Sequence, residues 1–460
     1  MPAHTTAPQT IAIVGAGYSG TLATVQLLAG NADARIVLVE RSGVFARGLA
    51  YRFDDDNLLL NVPAGNMSAL ADAPDHFVDF CRGVDPAFNA GSFVSRRLYG
   101  EYLQHTLAEA ERAAPGRLQR VQGEAVAVQR RGHGFTLALA DGRRLDADRV
   151  VLALGHHAPR DPLAAFGVPS LAPWEPAALD ALPNDRPVLV VGSGHTAVDV
   201  LFRLAAAAPA RRVHLVSRHG LLPHGHRTLP RAPATGTFPA WLGAATTLRA
   251  VLRALRGQAA AREAAGGDWR DVLNELRPHT PALWQHLPPA ERRRFLRQAV
   301  AFWDVHRHRL APAAHRRLQG LLARGQATCQ AARVVGARAV DGGFEVALRQ
   351  RGGTAVERLR VGAIVNCTGP EMDLERLPAP LWQQLRRDGL VRADALHIGL
   401  EVDAAYRVVG ATGRPVEGLH YVGPMLKAGT WEAIAVPELR GHVRSLAAAL
   451  AGAGALPLAA

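Results

Sequence analysis

The chain has 460 residues, enough for two or three domains with well-formed cores. Its formal charge of +13 is almost entirely arginine, Lys427 being the only lysine, and the charges are dispersed, which disfavours a nucleic-acid partner and suits an anionic cofactor. Cys81, Cys329 and Cys367 stand far apart, which argues against a disulfide scaffold, a zinc or other metal site and a redox dithiol; with no leader pattern in the N-terminal decapeptide and no membrane-spanning apolar stretch, a soluble cytoplasmic protein with no membrane partner is expected.

In chain order, Ile11 to Val14 reads as a buried parallel strand that runs into Gly15-Ala16-Gly17-Tyr18-Ser19-Gly20 and then a helix from Leu22 to Leu28. A pyrophosphate needs a tight turn, an approach with no Cβ in the way and helix N-terminal N–H groups aimed at it, and Gly15, Gly17, Ser19 and Gly20 supply that loop. The next strand, Ile36 to Val39, ends in Glu40, whose carboxylate can accept both hydroxyls of an adenosine ribose, so this unit is assigned to FAD. Residues 121–149 alternate as a strand meander before the apolar strand that closes on Gly155. His156 and His157 follow, either as solvated loop residues or facing a cofactor.

Val188 to Val191 leads into a second fingerprint, Gly192-Ser193-Gly194-His195-Thr196-Ala197, and a helix from Val198 to Leu204. Its second strand, Val213 to Val216, ends in Ser217, 25 positions after Gly192, as Glu40 stands 25 after Gly15. The carboxylate that would repel a 2′-phosphate is missing and Arg218 follows, which points to NADPH over NADH; otherwise Arg218 is a solvated surface charge. From about His224 to Arg324 the chain is rich in Pro, Arg, Trp and Ala with helical periodicity, placing Phe295, Ala299, Trp303, His306 and Leu310 on one helix face. A helical cap over the cofactors is expected there. Residues 333–362 form a second meander, and the strand after it closes on Gly369, where the chain crosses between domains. The fold class is therefore α/β: two Rossmann-like dinucleotide-binding domains, the FAD domain discontinuous (1–160 and 331–460), the NADPH domain (161–223) inserted, and a mostly helical cap (224–330).

Four further segments, Leu58 to Ala69, Arg97 to Leu103, Phe302 to Arg309 and Thr430 to Arg440, carry a resemblance. The chain resembles, nearly end to end, the YdhS-like group of bacterial FAD/NAD(P)-binding proteins, which is related to class B flavin monooxygenases and ornithine N-hydroxylases. The spacing Asn61-x-Pro63-x-x-x-Met67 is similar to a stretch of flavin-containing monooxygenases in which the asparagine lies beside the isoalloxazine ring. The resemblance thus makes Asn61 the catalytic candidate, an uncharged donor, with Met67 and Ser68 near the cofactor; alternatively Asn61 closes a turn before Pro63. Gly423, Trp431 and Glu432 match the C-terminal segment that brings backbone N–H groups to the flavin edge, though Glu432 can equally cap the last helix. Under the cap, Trp303 and Arg307 are candidates for substrate contact, the competing readings being core packing for Trp303 and an exposed basic helix end for Arg307; Arg309 joins Arg307 as a clamp for phosphate or carboxylate. The Phe-x-Gly-x-x-x-His motif of Baeyer-Villiger and flavin-containing monooxygenases is not met between the fingerprints, which weighs against oxygen insertion into a ketone. The reading is an FAD-dependent, NADPH-using oxidoreductase, a monooxygenase that uses molecular oxygen to hydroxylate a small amine or sulfur substrate through a flavin C4a-hydroperoxide. The alternatives are an NADPH-dependent flavoprotein reductase or dehydrogenase without oxygen transfer, and a flavin-binding redox sensor.

Overall fold

The computed structural model describes residues 8–30, 34–228, 238–243 and 245–452. Most of the N-terminal decapeptide and residues 229–237 of the expected cap lie outside the described residues. The strands, in chain order, are β1 (Thr10–Val14), β2 (Arg35–Glu40), β3 (Leu118–Gln122), β4 (Ala125–Arg131), β5 (Gly134–Leu139), β6 (Arg144–Ala147), β7 (Arg149–Leu152), β8 (Val188–Val191), β9 (Val213–Ser217), β10 (Ala327–Val340), β11 (Gly343–Gln350), β12 (Val356–Val361), β13 (Ala363–Asn366), β14 (Arg407–Val409) and β15 (Pro415–Tyr421).

The first sheet has the order β14-β15-β7-β1-β2-β3 and is parallel except at β14. Ile11, Ala12 and Ile13 of β1 are wholly buried, because helices Tyr18–Gly30, Arg96–Ala113 and Val436–Leu450 share one core with the sheet. A continuous apolar run is what a parallel strand buried on both faces requires. Truncating one such side chain to Ala costs about 2–5 kcal/mol. Strands β4, β5 and β6 form the first meander as a separate three-stranded antiparallel sheet.

The second sheet has the order β12-β11-β10-β9-β8-β13. Strand β10 does two jobs. Its first part pairs parallel with β9 from Ala327 to Ala331, and its remainder pairs antiparallel with β11, with a bulge between Val334 and Gly336. On the other side β13 pairs parallel with β8. The strands after the second glycine loop and the second meander are thus one sheet; the expected boundary at 331 falls inside β10, and the one at 223 separates β9 from its neighbour β10. The physical reason is that β8 and β9 alone leave two open edges, which β10 and β13 cover. The chain then returns to the first sheet through β14 and β15.

Between β9 and β10 lie the helices of the cap, Leu248–Ala264, Trp269–Leu276, Thr280–His286, Pro289–Gln298 and Val300–Arg307, followed by Pro312–Ala323. The single face expected over 295–310 is divided. Ala299, at φ −119°, ends one helix and starts the next, and His308, at φ −93° and ψ 92°, ends the second. Phe295, Ala299 and Trp303 therefore pack within the cap, while Leu310 bridges to Gly225 and joins the core of the second sheet. No described helix is long and apolar enough to cross a membrane.

Candidate functional site

The first glycine loop is fixed by close packing. Gly15 has φ +102°, and a Cβ there would lie 2.5 Å from the carbonyl oxygen of Ala153; a Cβ on Gly20 would lie 1.8 Å from that of Gly15. Glu40 is held at the strand end with one carboxylate oxygen accepting from Ala16 N–H (2.9 Å) and the other from the backbone and hydroxyl of Ser42 (3.0 and 2.8 Å). A cleft of about 1590 Å³ runs from Gly17, Ser19 and Glu40 past Gly155 and His157 to Ile434. It exceeds the roughly 300–1,000 Å³ of ordinary small-ligand pockets, as an extended dinucleotide needs. Pro424, after Gly423 at φ +152°, lines the same cleft. His156 and His157 form its wall, and His157 Nε2 accepts from Trp382 Nε1 (2.8 Å). Burial pushes both imidazoles down to about 4.

Met67 and Ser68 do not line this cleft. Met67 is buried with its carbonyl accepting from Tyr99 Oη (2.9 Å), and the Ser68 hydroxyl lies 3.0 and 2.6 Å from the carbonyls of Leu70 and Ala73. They hold the turn that follows Asn61. The Asn61 carbonyl accepts from His226 Nε2 (2.9 Å), tying this segment to the entrance of the cap.

In the second loop Gly192, at φ +130°, packs so closely that a Cβ would lie 2.1 Å from the Cys367 carbonyl oxygen, whereas a Cβ on Gly194 would meet nothing within 4 Å. The loop is anchored on one side and open on the other, above the N-terminus of helix His195–Ala207, where Thr196 is half-buried. Gly369, at φ +94°, is likewise open. Ser217 accepts from Gly220 N–H (2.9 Å) and lies 2.8 Å from the Ser193 hydroxyl. Arg218 is exposed. Beside it Arg351 Nη1 donates to His219 Nδ1 (2.7 Å), and Arg333 adds to the positive field. Arg333 and Arg351 come from the second meander; only the continuity of the sheet brings them to the end of β9, and no local motif marks them.

Between the two loops lies a buried polar junction. Arg96, at the head of its helix, pairs with Asp199 (2.8 Å) and joins the two nucleotide units. His195 has both ring nitrogens buried without a hydrogen-bond partner among the described residues; burial first, then the charge of Arg96, pushes it down to about 3. The cap adds His226 and His308, which burial lowers to about 3 and about 4. Glu432, 2% exposed, comes from the C-terminal segment with φ +75°. Its carboxylate accepts from Trp303 Nε1 (2.7 Å) and faces Arg307 at 3.3 Å and His308 at 3.8 Å. Burial alone would raise this carboxyl, but Arg307, His308 and Trp303 outweigh it and hold it at about 2. Glu432 does not cap the last helix, a position held by Ala435.

Arg307 is not an exposed helix end. It is 8% exposed and also reaches Glu438 (3.4 Å), which Arg277 grips at 2.6 and 2.9 Å. Trp431 is buried against Trp284 and Phe295, ring centroids 4.6 and 5.1 Å away, with Lys427 Nζ 4.1 Å above its ring. Asp304, which sequence reasoning passed over, lies one turn before His308 with 47% of its side chain exposed. Seven of the ten buried side-chain nitrogens and oxygens without a hydrogen-bond partner among the described residues belong to Arg96, His195, Arg307, Arg309 and Glu432. Unpartnered buried polar atoms are rare in folded proteins, and here they concentrate at this junction. Asp373, Glu375 and His397 bring ligand atoms within 4.8 Å of one another elsewhere, where the 3.0 Å contact of His397 with Asp373 accounts for the cluster as an ion pair.

Residues 12–157 match the family model described as FAD-NAD(P)-binding. No curated protein matches the chain in sequence. Among solved structures it is similar to the reduced form of ornithine hydroxylase from Pseudomonas aeruginosa (TM-score 0.66, 16% identity, 97% of this chain and 99% of that one). It is similar to the ornithine N-hydroxylase of Kutzneria sp. 744, determined with reduced FAD, NADP⁺ and L-ornithine (TM-score 0.66, 17% identity, 96% and 98%). L-lysine 6-monooxygenase from Pseudomonas syringae is a third (TM-score 0.65, 18% identity, 96% and 98%). The fold is that of Rossmann-type flavoprotein monooxygenases.

Proposed function

We propose that the chain is an FAD-dependent, NADPH-using monooxygenase of the cytoplasm, which consumes molecular oxygen and hydroxylates a small nucleophilic substrate, in first place an amine at its nitrogen. The observation that carries this reading is the convergence of both nucleotide units, the cap and the C-terminal segment on one buried junction rich in unpartnered polar atoms. Likeness to hydroxylases of ornithine and lysine over both sheets and the cap supports it.

FAD, once bound, supplies the electron-accepting and oxygen-activating chemistry. The chain's own residues bind and orient. Glu40 offers two fixed carboxylate oxygens to a ribose, and the helix start at Tyr18 offers N–H groups to a pyrophosphate. Gly194 leaves the open approach for the second pyrophosphate, and Ser217 with Arg218 and Arg351 accommodates a 2′-phosphate. Asn61, whose backbone carbonyl accepts from His226, is the candidate for an uncharged donor beside the flavin. The three histidines, His195, His226 and His308, are held neutral and bring no acid to the reacting centre. The cap excludes water.

The test is to supply the FAD-loaded protein with NADPH, oxygen and a panel of amines and thioethers, and to measure hydroxylated product against NADPH consumed. A substrate should accelerate NADPH consumption and yield product close to one for one. NADPH oxidation at one rate whatever is added, with all electrons recovered as hydrogen peroxide, overturns the reading.

A further inference from the structure

Helix Val300–Arg307 of the cap sends an aromatic side chain outward: Phe302 is 44% exposed. A lone apolar side chain at a surface is ordinary. The setting of this one is not. Its ring meets that of His219, two residues past the end of β9, with centroids 5.6 Å apart and planes at 63°. Rings at that angle form an open corner and not a stack. His219 Nδ1 accepts from Arg351 Nη1 (2.7 Å). Burial first, then the charges of Arg351, Arg218 and Arg333, hold this imidazole below its usual value, so it is uncharged at neutral pH. The corner is thus made of two uncharged flat rings with three guanidiniums nearby.

Strand order says which part of a dinucleotide arrives there. The second glycine loop, where a pyrophosphate is expected, follows β8, and Ser217 ends its parallel neighbour β9. A dinucleotide with its 2′-phosphate over Ser217 and Arg218 therefore runs across the sheet from β8 to β9, and its adenine lies on the side of β10. That side is closely built. A Cβ on Gly220 would lie 2.7 Å from Ala331 N of β10, and Arg351 N–H donates to the Ala331 carbonyl (2.9 Å). Phe302, His219 and Arg351 thus come to one place from the cap, the loop after β9 and the second meander. Adenine has two apolar faces and a polar edge, and such a base gains from flat rings and guanidiniums on which it can stack.

We propose that Phe302 is a binding residue for the dinucleotide: the adenine of NADPH docks in the corner between Phe302 and His219, so that the cap shares in holding the adenosine end. This rests on the functional reading above, which places NADPH on the second glycine loop. The competing role for Phe302 is to pack on His219 and so orient Arg351 for the 2′-phosphate. The two roles differ in which nucleotides they touch. Wild type, F302A, F302L, F302W and R351A, all FAD-loaded and at matched ionic strength, are titrated calorimetrically with NADP⁺ and adenosine 2′,5′-bisphosphate. NAD⁺ and nicotinamide mononucleotide are measured by displacement of the bisphosphate, and each protein is melted without ligand.

F302A and F302L are expected to weaken NADP⁺, NAD⁺ and the bisphosphate by one common factor of about ten, because the base is the part these ligands share, and F302W to keep the wild-type affinities. R351A should weaken only the two ligands that carry a 2′-phosphate. Nicotinamide mononucleotide, which has no adenine, should not distinguish the Phe302 variants from the wild type. Ligand-free F302A should melt within about 2 °C of the wild type, as a surface substitution does. A loss in F302A confined to NADP⁺ and the bisphosphate makes Phe302 a support for Arg351 and overturns the inference, as do unchanged affinities for every ligand or an F302A protein that melts far lower. If R351A weakens NADP⁺ and the Phe302 variants do not, the inference fails and the NADPH reading stands. A wild type that binds none of these nucleotides refutes both. Because no turnover is measured, a protein that binds adenine through Phe302 yet hydroxylates nothing refutes only the functional reading.

Discussion

Neutralising Glu432 should loosen the cap. The Glu432→Gln substitution keeps an oxygen for Trp303 Nε1 but removes the charge 3.3 Å from Arg307, a residue 8% exposed. Breaking a buried pair by removing one partner costs about 3–5 kcal/mol. Glu438, 3.4 Å from Arg307, still compensates in part, so the lower end applies. A second route gives the same size: a carboxyl held at about 2 against an ordinary 4.5 corresponds to about 3 kcal/mol of native-state preference for its ionised form. The desolvation of Arg307 itself, which pulls its own pKa down, offsets some of that gain. Because the carboxyl is lowered on folding, its contribution is complete above pH 4.5 and is lost as the pH falls from 4.5 towards 2. Melting of the FAD-loaded protein at pH 7.5 should therefore drop by about 3 °C in E432Q, since an unfolding entropy of about 2.1 cal/mol/K per residue makes 1 kcal/mol worth roughly 1 °C in a chain of 460 residues. The double variant E432Q/R307M, which removes the stranded charge as well, should recover most of the loss. An E432Q protein melting within 1 °C of the wild type, or a double variant in which the two losses simply add, would refute the reasoning.

The two glycine loops make opposite predictions. Gly20→Ala places a Cβ 1.8 Å from the Gly15 carbonyl and should abolish FAD retention, visible as colourless protein. Gly194→Ala meets nothing within 4 Å, so its melting temperature should match the wild type while the Kd for NADP⁺ rises at least tenfold; an unchanged Kd would show that no phosphate approaches there. Arg351→Ala should reduce the NADPH over NADH preference about tenfold and Ser217→Glu should reverse it, measured as the ratio of kcat/KM values, and a preference untouched by both would remove the 2′-phosphate assignment. Asn61→Ala should raise hydrogen peroxide release per NADPH more than it weakens FAD retention, and the reverse order would make Asn61 a turn residue only.

Both glycine loops, Glu40 and Ser217 were legible because each is local: a strand, a turn and a helix within about 30 residues leave a pattern that needs no tertiary contact to recognise. The second meander was legible as strands yet not as part of the second sheet, since the double pairing of β10 depends on a bulge at Val334 and Gly336 that alternation does not encode. Arg307 illustrates the other limit. In a chain with 53 lysines and arginines, a basic residue near a helix end carries no mark of burial, and the acids that bury it, Glu432 and Glu438, stand 125 and 131 positions away. The same abundance hid Arg333 and Arg351, whose place beside Arg218 follows from strand order alone.

The cap is attached along two separate lines. To the C-terminal segment the cap is bound by Trp284 Nε1 on the Ala428 carbonyl (3.0 Å), Gln285 on that of Gly429 (3.2 Å), Trp303 on Glu432 and the Arg277–Glu438 pair. To the second sheet it is bound through the segment after His308, where Leu310 bridges to Gly225 and helix Pro312–Ala323 enters that sheet's core. Each attachment satisfies its own partners locally. His195, Arg307 and Arg309 lie between the two sets, on three surfaces that face one another without sharing a backbone register, so no strand ladder or helix supplies their missing hydrogen bonds.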